Sequence, residues 1–556
     1  MKTMPFNKYR PYAPVRISSR RWPDRVIVQA PAWCSVDLRD GNQALSTPMG
    51  ITEKMEMFRL LVAIGFREIE IGFPSAAEVE FEFARQLIEG RHIPEDVTIQ
   101  VLVQARAPLI RRTFEAVRGA RDVIVHLYNS TSEAQRRIVF GKDRGGIIAI
   151  AREAAELMEA LRHGPGMEGV RFEYTPESFH GTELDMAVDI CQAVLEVWTP
   201  SPERKVIINL PSTVEACTPN VYADRIEWFG DHVRGRENII LSVHTHNDRG
   251  GAVASAELAV MAGAERVEGA LFGNGERTGN MDIITMAMNL FSQGVDPRLD
   301  LSDIDHIREV YSRCTRMTVH ERHPYAGDLV FTAFSGSHQD AINKGLKARE
   351  KAPESVWEVP YLPIDPHDVG RDYEAVIRIN SQSGKGGVAY ILERDGGYRV
   401  PKAMQPVVAA EVQRLAEKSG RELSSDEIRA CFEAEFIEQS GRYCLERCCV
   451  QDQAEGSTLV DAVVGASEGR KVWRGSGNGP VSAFVNAVRD ALSVTIDVVL
   501  FEEHALTTGA EARAVAYIGL SDGQGQQAYG VGIDENISTA SIKAVLMAMN
   551  RLRPWS

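Results

Sequence analysis

The sequence predicts an α/β protein: a TIM (β/α)8 barrel, then a helical linker subdomain, then a C-terminal α/β domain. Two observations carry that prediction. Over the first 290 residues one theme recurs eight times: a short β-branched run, a turn, and a stretch whose apolar residues return at three- and four-residue steps. Eight such units suit a closed barrel better than a doubly wound sheet, whose first turn would carry a GxGxxG fingerprint, and none follows the first run.

Taken in order, residues 1–30 are basic and broken by prolines, with no apolar stretch, so they read as an arm packed on the fold rather than a signal peptide. The barrel is expected over 31–300. Its strand runs are WCSVDL (33–38), REIEIGF (67–73), TIQVLVQ (98–104), DVIVHLY (122–128), RFEYTPE (171–177), KVIINL (205–210), IILSVHT (239–245) and RVEGALFG (266–273). ITEKMEMFRLLVAIGF and GGAVASAELAVMAGA exemplify the helices between them. From 301 to 425 the rhythm gives way to helical and loop segments. A separate α/β domain is expected over 426–556, with strands in CLERCCVQ, TIDVVLFEEHAL and ARAVAYIGL, a glycine-rich turn at GSGNGPVSAF (475–484), and a helical period in the last twenty residues.

Bulk properties narrow the class. A chain of 556 residues exceeds what one core usually supports. Hydrophobic content of 44% and charged content of 25% describe a globular enzyme. A formal charge of -15 argues against a nucleic-acid partner, which favours a basic face. No apolar run approaches the roughly eighteen residues a membrane span needs. Eight scattered cysteines without a CxxC pair predict a reduced, cytoplasmic setting.

A barrel gathers its chemistry where strands end and loops begin. Those points hold Arg39 and Asp40, Gln104, His126, Glu177, Thr213, His244 and His246, and Asn274. Side chains alternate along a strand, so His244 and His246 point the same way. With Asp40 from the first strand end, which adjoins the last two strands when the barrel closes, they form a two-histidine, one-carboxylate set with open positions. Such a set suits a catalytic Zn2+, Mn2+ or Mg2+. An HxH pair by itself is more often two ordinary histidines than a metal site; the barrel position is what favours a metal. A metal there would polarise the carbonyl of an α-keto acid, and Arg39 could hold a carboxylate or a developing alkoxide. Thr213 and Asn209 offer neutral hydrogen bonds, with a plain turn as the alternative for Thr213. Glu177 could orient a base or be a solvated loop carboxylate, and His126 could be a structural histidine.

The motifs LRDGNQAL (38–45), GFPSA (72–76), HLYNSTS (126–132), HTHNDRG (244–250), LFGNGERTGN (271–280), SGSHQDAINKG (335–345), PYLPIDP (360–366) and NSQSGKGG (380–387) together resemble the α-isopropylmalate synthases, in the long form with a regulatory tail. RDGNQ is shared with homocitrate synthase, citramalate synthase and hydroxymethylglutaryl-CoA lyase; SGSHQDA, NSQSGKGG and the tail narrow the match. The resemblance implies that Asp40, His244 and His246 bind a divalent metal, Mg2+ first and Mn2+ or Zn2+ next, with Asn274 also at the ion. It implies that Arg39 and Thr213 contact the keto acid, and that Leu102, His126, Thr175, Glu177, Asn209 and Pro211 line its pocket. Where the family has HPHND, this chain has Thr245 for the proline; that side chain should point away from the metal.

The implied reaction joins acetyl-CoA to 2-ketoisovalerate and hydrolyses the thioester. The matching base is His338, with Glu177 and Tyr361 as its helpers, and the 301–425 segment would cover the other protomer's barrel in an obligatory homodimer. The tail would bind L-leucine as an inhibitor around Gly477, Asn478, Gly479 and Pro480, a turn that bares its backbone and that could also be an ordinary strand-to-helix turn. K+ is an expected activator of the family. Two competitors stand beside this reading: a sibling synthase for another keto acid, which the lack of Lys or Arg at the matched pocket positions disfavours, and a non-catalytic leucine sensor, which the complete Asp40, His244, His246 and Arg39 set disfavours.

Overall fold

Each predicted run forms a strand in the computed structural model: β1 Ala32–Ser35, β2 Glu68–Gly72, β3 Thr98–Gln104, β4 Val123–Ser130, β5 Val170–Glu177, β6 Val206–Ser212, β7 Ile239–Thr245 and β8 Arg266–Gly269. They pair in parallel in chain order, and β8 closes the barrel on β1 through Trp33↔Val267 and Cys34↔Glu268. Described are residues 4, 6–353, 355–373, 385–419, 423–437, 441–453, 456–506 and 512–552; most of NSQSGKGG (380–387) lies outside them. Two compact units result: Met1–Phe331 with Ile364–Asp372, and Thr332–Pro363 with Tyr373–Ser556.

The helices expected after β1 and β7 are Ile51–Ile64 and Ala252–Met261. Gly65 ends the first at φ 110, a left-handed conformation that favours glycine. The N-terminal arm is fastened to helix Pro219–His232. The indole N–H of the buried Trp22 donates to Asp224 Oδ1 at 2.8 Å, and Arg20 takes both Asp224 oxygens at 2.6 and 2.7 Å. Such a fork is the geometry in which Arg binds carboxylate best.

Strand register fixes what fills the barrel. It sets Leu102 beside His126, Pro211 beside His244, and His244 beside Glu268. Just below that rim the interior is polar rather than aliphatic: Glu70, Gln100, Glu173, Ser242, Arg266 and Glu268 are each at most 1% exposed.

The second unit contains helices Gly336–Glu350, Lys385–Gly396, Gln405–Ser419 and Ser425–Phe436, then two βββα repeats. The first repeat is β9 Tyr443–Asp452, β10 Thr458–Ala466, β11 Gly469–Gly477 and helix Pro480–Leu492; the second is β12 Asp497–Ala505, β13 Ala514–Ser521, β14 Gln527–Asp534 and helix Ile537–Arg551. Both sheets are antiparallel and three-stranded. The period-2 alternation of β13 serves two cores. Ala516, Ile518 and Leu520 join Phe484 and Val545 of the two repeat helices, while Val515 and Tyr517 join Val412, Ile428 and Phe432 of the helices before the repeats. The helices at 405–436 are thus part of the same packed body as the tail.

Glycines let the repeat helices approach their sheets. A Cβ built on Gly530 of β14 would lie 2.2 Å from Ala548 N and 2.4 Å from Ala544 O, both backbone atoms of helix Ile537–Arg551. Backbone cannot step aside as a side chain can, so Gly530→Ala should destabilise this unit by about 1–3 kcal/mol, the usual cost of overpacking. Thermal unfolding should show the transition of the second unit shifted down; an unchanged transition would mean that the contact is looser than described.

Candidate active site

β1 stops at Ser35, and the chain then winds through one helical turn of π type, Asp37–Gly41, that carries Arg39 and Asp40. Asp40 therefore reaches the barrel mouth from a turn rather than from the strand end itself. Asn280 Nδ2 donates to its Oδ2 at 2.7 Å and Arg39 Nη1 to its Oδ1 at 2.6 Å. Across the mouth, His244 and His246 face the same way from β7 and just beyond, with their Nε2 atoms 3.1 Å apart. Asp40 Oδ2 lies 3.9 Å from the first Nε2 and 3.7 Å from the second. All three side chains are buried.

The charges of the trio suit a cation. His244 Nδ1 faces Glu268 Oε2 at 2.8 Å. Burial opposes the charge of Glu268, but Arg266 and His244 outweigh it and hold the carboxylate ionised. An ionised carboxylate only accepts, so His244 carries a proton on Nδ1 and turns Nε2 toward Asp40 and His246. Burial first and His244 second push His246 down to about 3, leaving a neutral imidazole. Asp40 is held down to about 2, because Arg39 and the two imidazoles overcome its burial. Two imidazoles and one ionised carboxylate, with their ligand atoms converging, are the donor set a divalent metal takes.

A cavity of about 220 Å³ opens over this trio. The residues singled out from the sequence gather around it: Arg39, Leu102, His126, Thr175, Glu177, Asn209, Pro211 and Thr213, beside Asp40, His244 and His246. Arg39 Nε donates to Glu70 Oε2 at 2.5 Å, and the pull of Glu70 and Asp40 keeps the guanidinium charged despite its burial. His126 lies between Glu70 Oε1, 2.9 Å from Nδ1, and Thr175 Oγ1, 2.6 Å from Nε2. Asn209 Nδ2 donates to Thr175 Oγ1 at 3.3 Å and Glu268 Oε2 at 3.1 Å, while its buried Oδ1 has no partner among the described residues. Thr213 Oγ1 accepts from Ser178 N at 3.0 Å, which leaves the hydroxyl proton free to donate. Ser130 Oγ donates to Glu177 Oε2.

Some residues stand elsewhere than expected. Asn274 turns its amide to the Gly41 carbonyl at 3.1 Å and so braces the turn beneath Asp40. It is Asn280, six residues on, that touches Asp40, and its buried Oδ1 has no partner among the described residues. Tyr128, Gln43, Glu276 and Arg277 also line the cavity and were not singled out. Tyr128 follows His126 by two on β4, a spacing that alternation could have flagged. Arg277 is spent on Asp248, at 2.7 and 3.1 Å, and on the Thr213 carbonyl at 2.6 Å. His338 and Tyr361 belong to the second unit, where their rings stack at 4.0 Å and Tyr361 stands exposed at φ 64.

In the tail, Asn478, Gly479 and Pro480 line a larger cavity of about 600 Å³, together with Ser482, Val485, Phe501, Glu503 and Ile537. Gly477 has a different task. A Cβ there would sit 2.5 Å from Ala483 N, so this glycine lets β11 touch its helix.

Comparison with known proteins decides the family. Residues 30–310 match the HMGL-like family, 328–393 the alpha-isopropylmalate synthase post-catalytic domain, and 422–553 the LeuA allosteric (dimerisation) domain. Proteins named 2-isopropylmalate synthase from Clostridium acetobutylicum and Rhodospirillum rubrum are 53% and 55% identical over 555 and 551 residues, 99% of each chain. One from Azotobacter vinelandii is 53% identical over 548 residues, 98% of this chain and 97% of its own. The chain belongs to the 2-isopropylmalate synthase family. Among the described residues no helix is long and apolar enough to cross a membrane.

One further contact holds the loop of this site in place. Asp282 follows Asn280 by two, caps helix Ile283–Ser292, and pairs with His323 Nε2 at 2.9 Å. Burial works against the His323 charge, but Asp282 wins and raises its pKa above 6.5. A raised histidine contributes stability that is complete below its unfolded pKa and is lost as pH climbs through the raised value. His323→Gln should therefore cost more stability at pH 6 than at pH 9 in urea denaturation; equal costs at the two pH values would contradict the ion pair.

Proposed function

We propose that this chain catalyses the 2-isopropylmalate synthase reaction, joining acetyl-CoA to 2-ketoisovalerate and hydrolysing the thioester to 2-isopropylmalate and CoA, as a leucine-regulated cytoplasmic homodimer. The observation that carries the reading is the convergence of Asp40, His244 and His246 at the mouth of a small cavity with Arg39 beside them. Asp40, His244 and His246 would hold a divalent cation, Mg2+ or Mn2+ for its carboxylate and water shell and Zn2+ for its imidazoles, with Asn280 as the fourth group on the strength of its unpartnered carbonyl. Such a cation supplies Lewis-acid polarisation of the keto carbonyl.

The chain's own residues do the rest. Arg39, fixed through Nε and Nη1, presents Nη2, which has no partner among the described residues, to a carboxylate or a nascent alkoxide. Thr213 donates its hydroxyl proton to the same carboxylate, and Asn209 lies opposite. Leu102 and Pro211 give the side chain of the keto acid an apolar wall. A cavity of about 220 Å³ suits a small branched keto acid. Arg277 lines the cavity but its charge is already paired with Asp248, which disfavours a second carboxylate, as in 2-ketoglutarate. His338, stacked on Tyr361, takes the methyl proton of acetyl-CoA in a site completed by the dimer; the LeuA allosteric (dimerisation) match supports the dimer.

CoA release followed with DTNB tests the reaction. Turnover should require both substrates, fall to background with EDTA and return with Mg2+ or Mn2+, and favour 2-ketoisovalerate over pyruvate and 2-ketoglutarate. His246→Ala should lose about 10²–10³-fold or more in kcat with its circular dichroism unchanged, the worth of electrostatic activation of this kind. Preference for 2-ketoglutarate, or an active variant, would overturn the assignment.

The tail cavity is the proposed leucine site. An apolar floor of Val485, Phe501 and Ile537, a carboxylate at Glu503, and the start of helix Pro480–Leu492 match an apolar side chain, an ammonium and a carboxylate in turn. Ser482→Leu, which fills the cavity, should raise the leucine concentration for half-inhibition about tenfold or more with kcat in leucine-free buffer unchanged; undiminished inhibition would place leucine elsewhere.

A further inference from the structure

Beneath the mouth, two glutamates divide the buried contacts between them. Glu268 holds the Nδ1 of His244 at 2.8 Å, and accepts from Asn209 at 3.1 Å and from Arg266 Nη1 at 2.9 Å. Glu70 holds Arg39 Nε at 2.5 Å and His126 Nδ1 at 2.9 Å. Gln100 joins the two, its Nε2 lying 3.1 Å from Glu70 Oε1 and 3.0 Å from Glu268 Oε1. Both glutamates are fully buried and neither lines the cavity, so each can reach the reaction only through the residues it orients.

We propose that Glu268 and Glu70 are positioning residues with separate tasks, Glu268 setting the grip on the cation through His244 and Glu70 setting the grip on the keto acid through Arg39 and His126. The inference rests on the reading of Asp40, His244 and His246 as the cation site.

The division follows from hydrogen-bond chemistry. A carboxylate on Nδ1 fixes the tautomer and ring angle of His244 and makes the lone pair on Nε2 more basic; such outer partners typically change metal affinity or activity by about 10–100-fold. Replacing that oxygen with an amide that can present N–H to Nδ1 frees the ring to swing and permits the wrong tautomer. Glu70 touches neither imidazole of the trio. It aims the guanidinium of Arg39 and the ring of His126, both of which line the cavity. Without its charge, Arg39 keeps only Asp40 as a partner and is drawn off the substrate. A third acid of the same layer supplies the control. Among the described residues neither oxygen of Glu173 has a hydrogen-bond partner of normal geometry; it lies 3.4 Å from His126 Nε2 and 3.4 Å from Arg266 Nη1, beside Glu268. Burial and then the Glu268 charge push its carboxyl well up, so it is neutral and offers His126 no charged partner.

The test uses the full-length protein stripped of metal and titrated with Co2+, with binding read from the visible absorption of the ion, alongside the KM for 2-ketoisovalerate at saturating metal. Glu268→Gln should raise the Co2+ Kd by about 10–100-fold and leave KM within about threefold. Glu70→Gln should do the reverse, with KM up by about tenfold or more and Kd within about threefold. Glu173→Gln should move neither. If Glu268→Gln fails to fold by circular dichroism, Glu268→Asp, which keeps the charge but withdraws it from Nδ1 by one methylene, should weaken Co2+ binding in the same direction. A native Co2+ Kd in a folded Glu268 variant, or both variants shifting both constants alike, overturns the division. Wild-type protein that takes up no Co2+ at all sinks the cation site itself, a different and separately visible failure.

Discussion

A charged layer sealed inside the barrel governs the rest of this molecule. Most barrels of this type fill their interior with branched aliphatic residues. Here Glu70, Glu268 and Arg266 occupy it, tied together by Gln100 and capped by Arg39 and His126, with the neutral Glu173 beside them. A buried charge is tolerable only when paired and hydrogen-bonded, and removing one partner leaves the other stranded at a cost of about 3–5 kcal/mol. The layer therefore admits very few arrangements. That rigidity is passed upward to His244, His126 and Arg39, whose orientations are set from below before any substrate arrives. A site that must hold reacting groups to fractions of an ångström gains from a floor that cannot repack.

The fold was largely legible because the barrel advertises itself locally. Each of β1 to β8 is a short β-branched run with a turn behind it, and parallel strands buried on both faces read that way without tertiary information. His244 and His246 were legible for the same reason, since alternation along β7 is enough to put both on one side. Asp40 was found by its type and place, although it stands on a helical turn that the strand pattern does not announce.

What escaped the sequence shares a physical cause. Asn280 sits in a loop held by Gly275 at φ 150 and Gly279 at φ 96, and no periodicity predicts where such a loop returns. Asn274, the better-placed residue by strand logic, braces Gly41 instead. The interior acids were visible as Glu70, Glu173 and Glu268 within three strand runs, yet strand patterning treats a charge as facing solvent, and only closure of the barrel shows that it cannot. The tail hid its internal duplication because its two βββα units share spacing and small-residue contacts, such as Gly477 against Ala483 and Gly530 against Ala548, rather than matching side chains. The sequence pattern divides the helices of this stretch near residue 425, whereas β13 buries one face against both Gln405–Ser419 and Ser425–Phe436.

The account stands or falls on a single ion shared by the barrel's first and seventh strand ends. X-ray absorption at the metal edge of the Co2+- or Zn2+-loaded protein reports that shell directly. It should show two imidazole nitrogens and oxygen ligands at about 2.0–2.2 Å, and one imidazole fewer after His246→Ala. A shell with no imidazole contribution, or one untouched by the loss of His246, would contradict it.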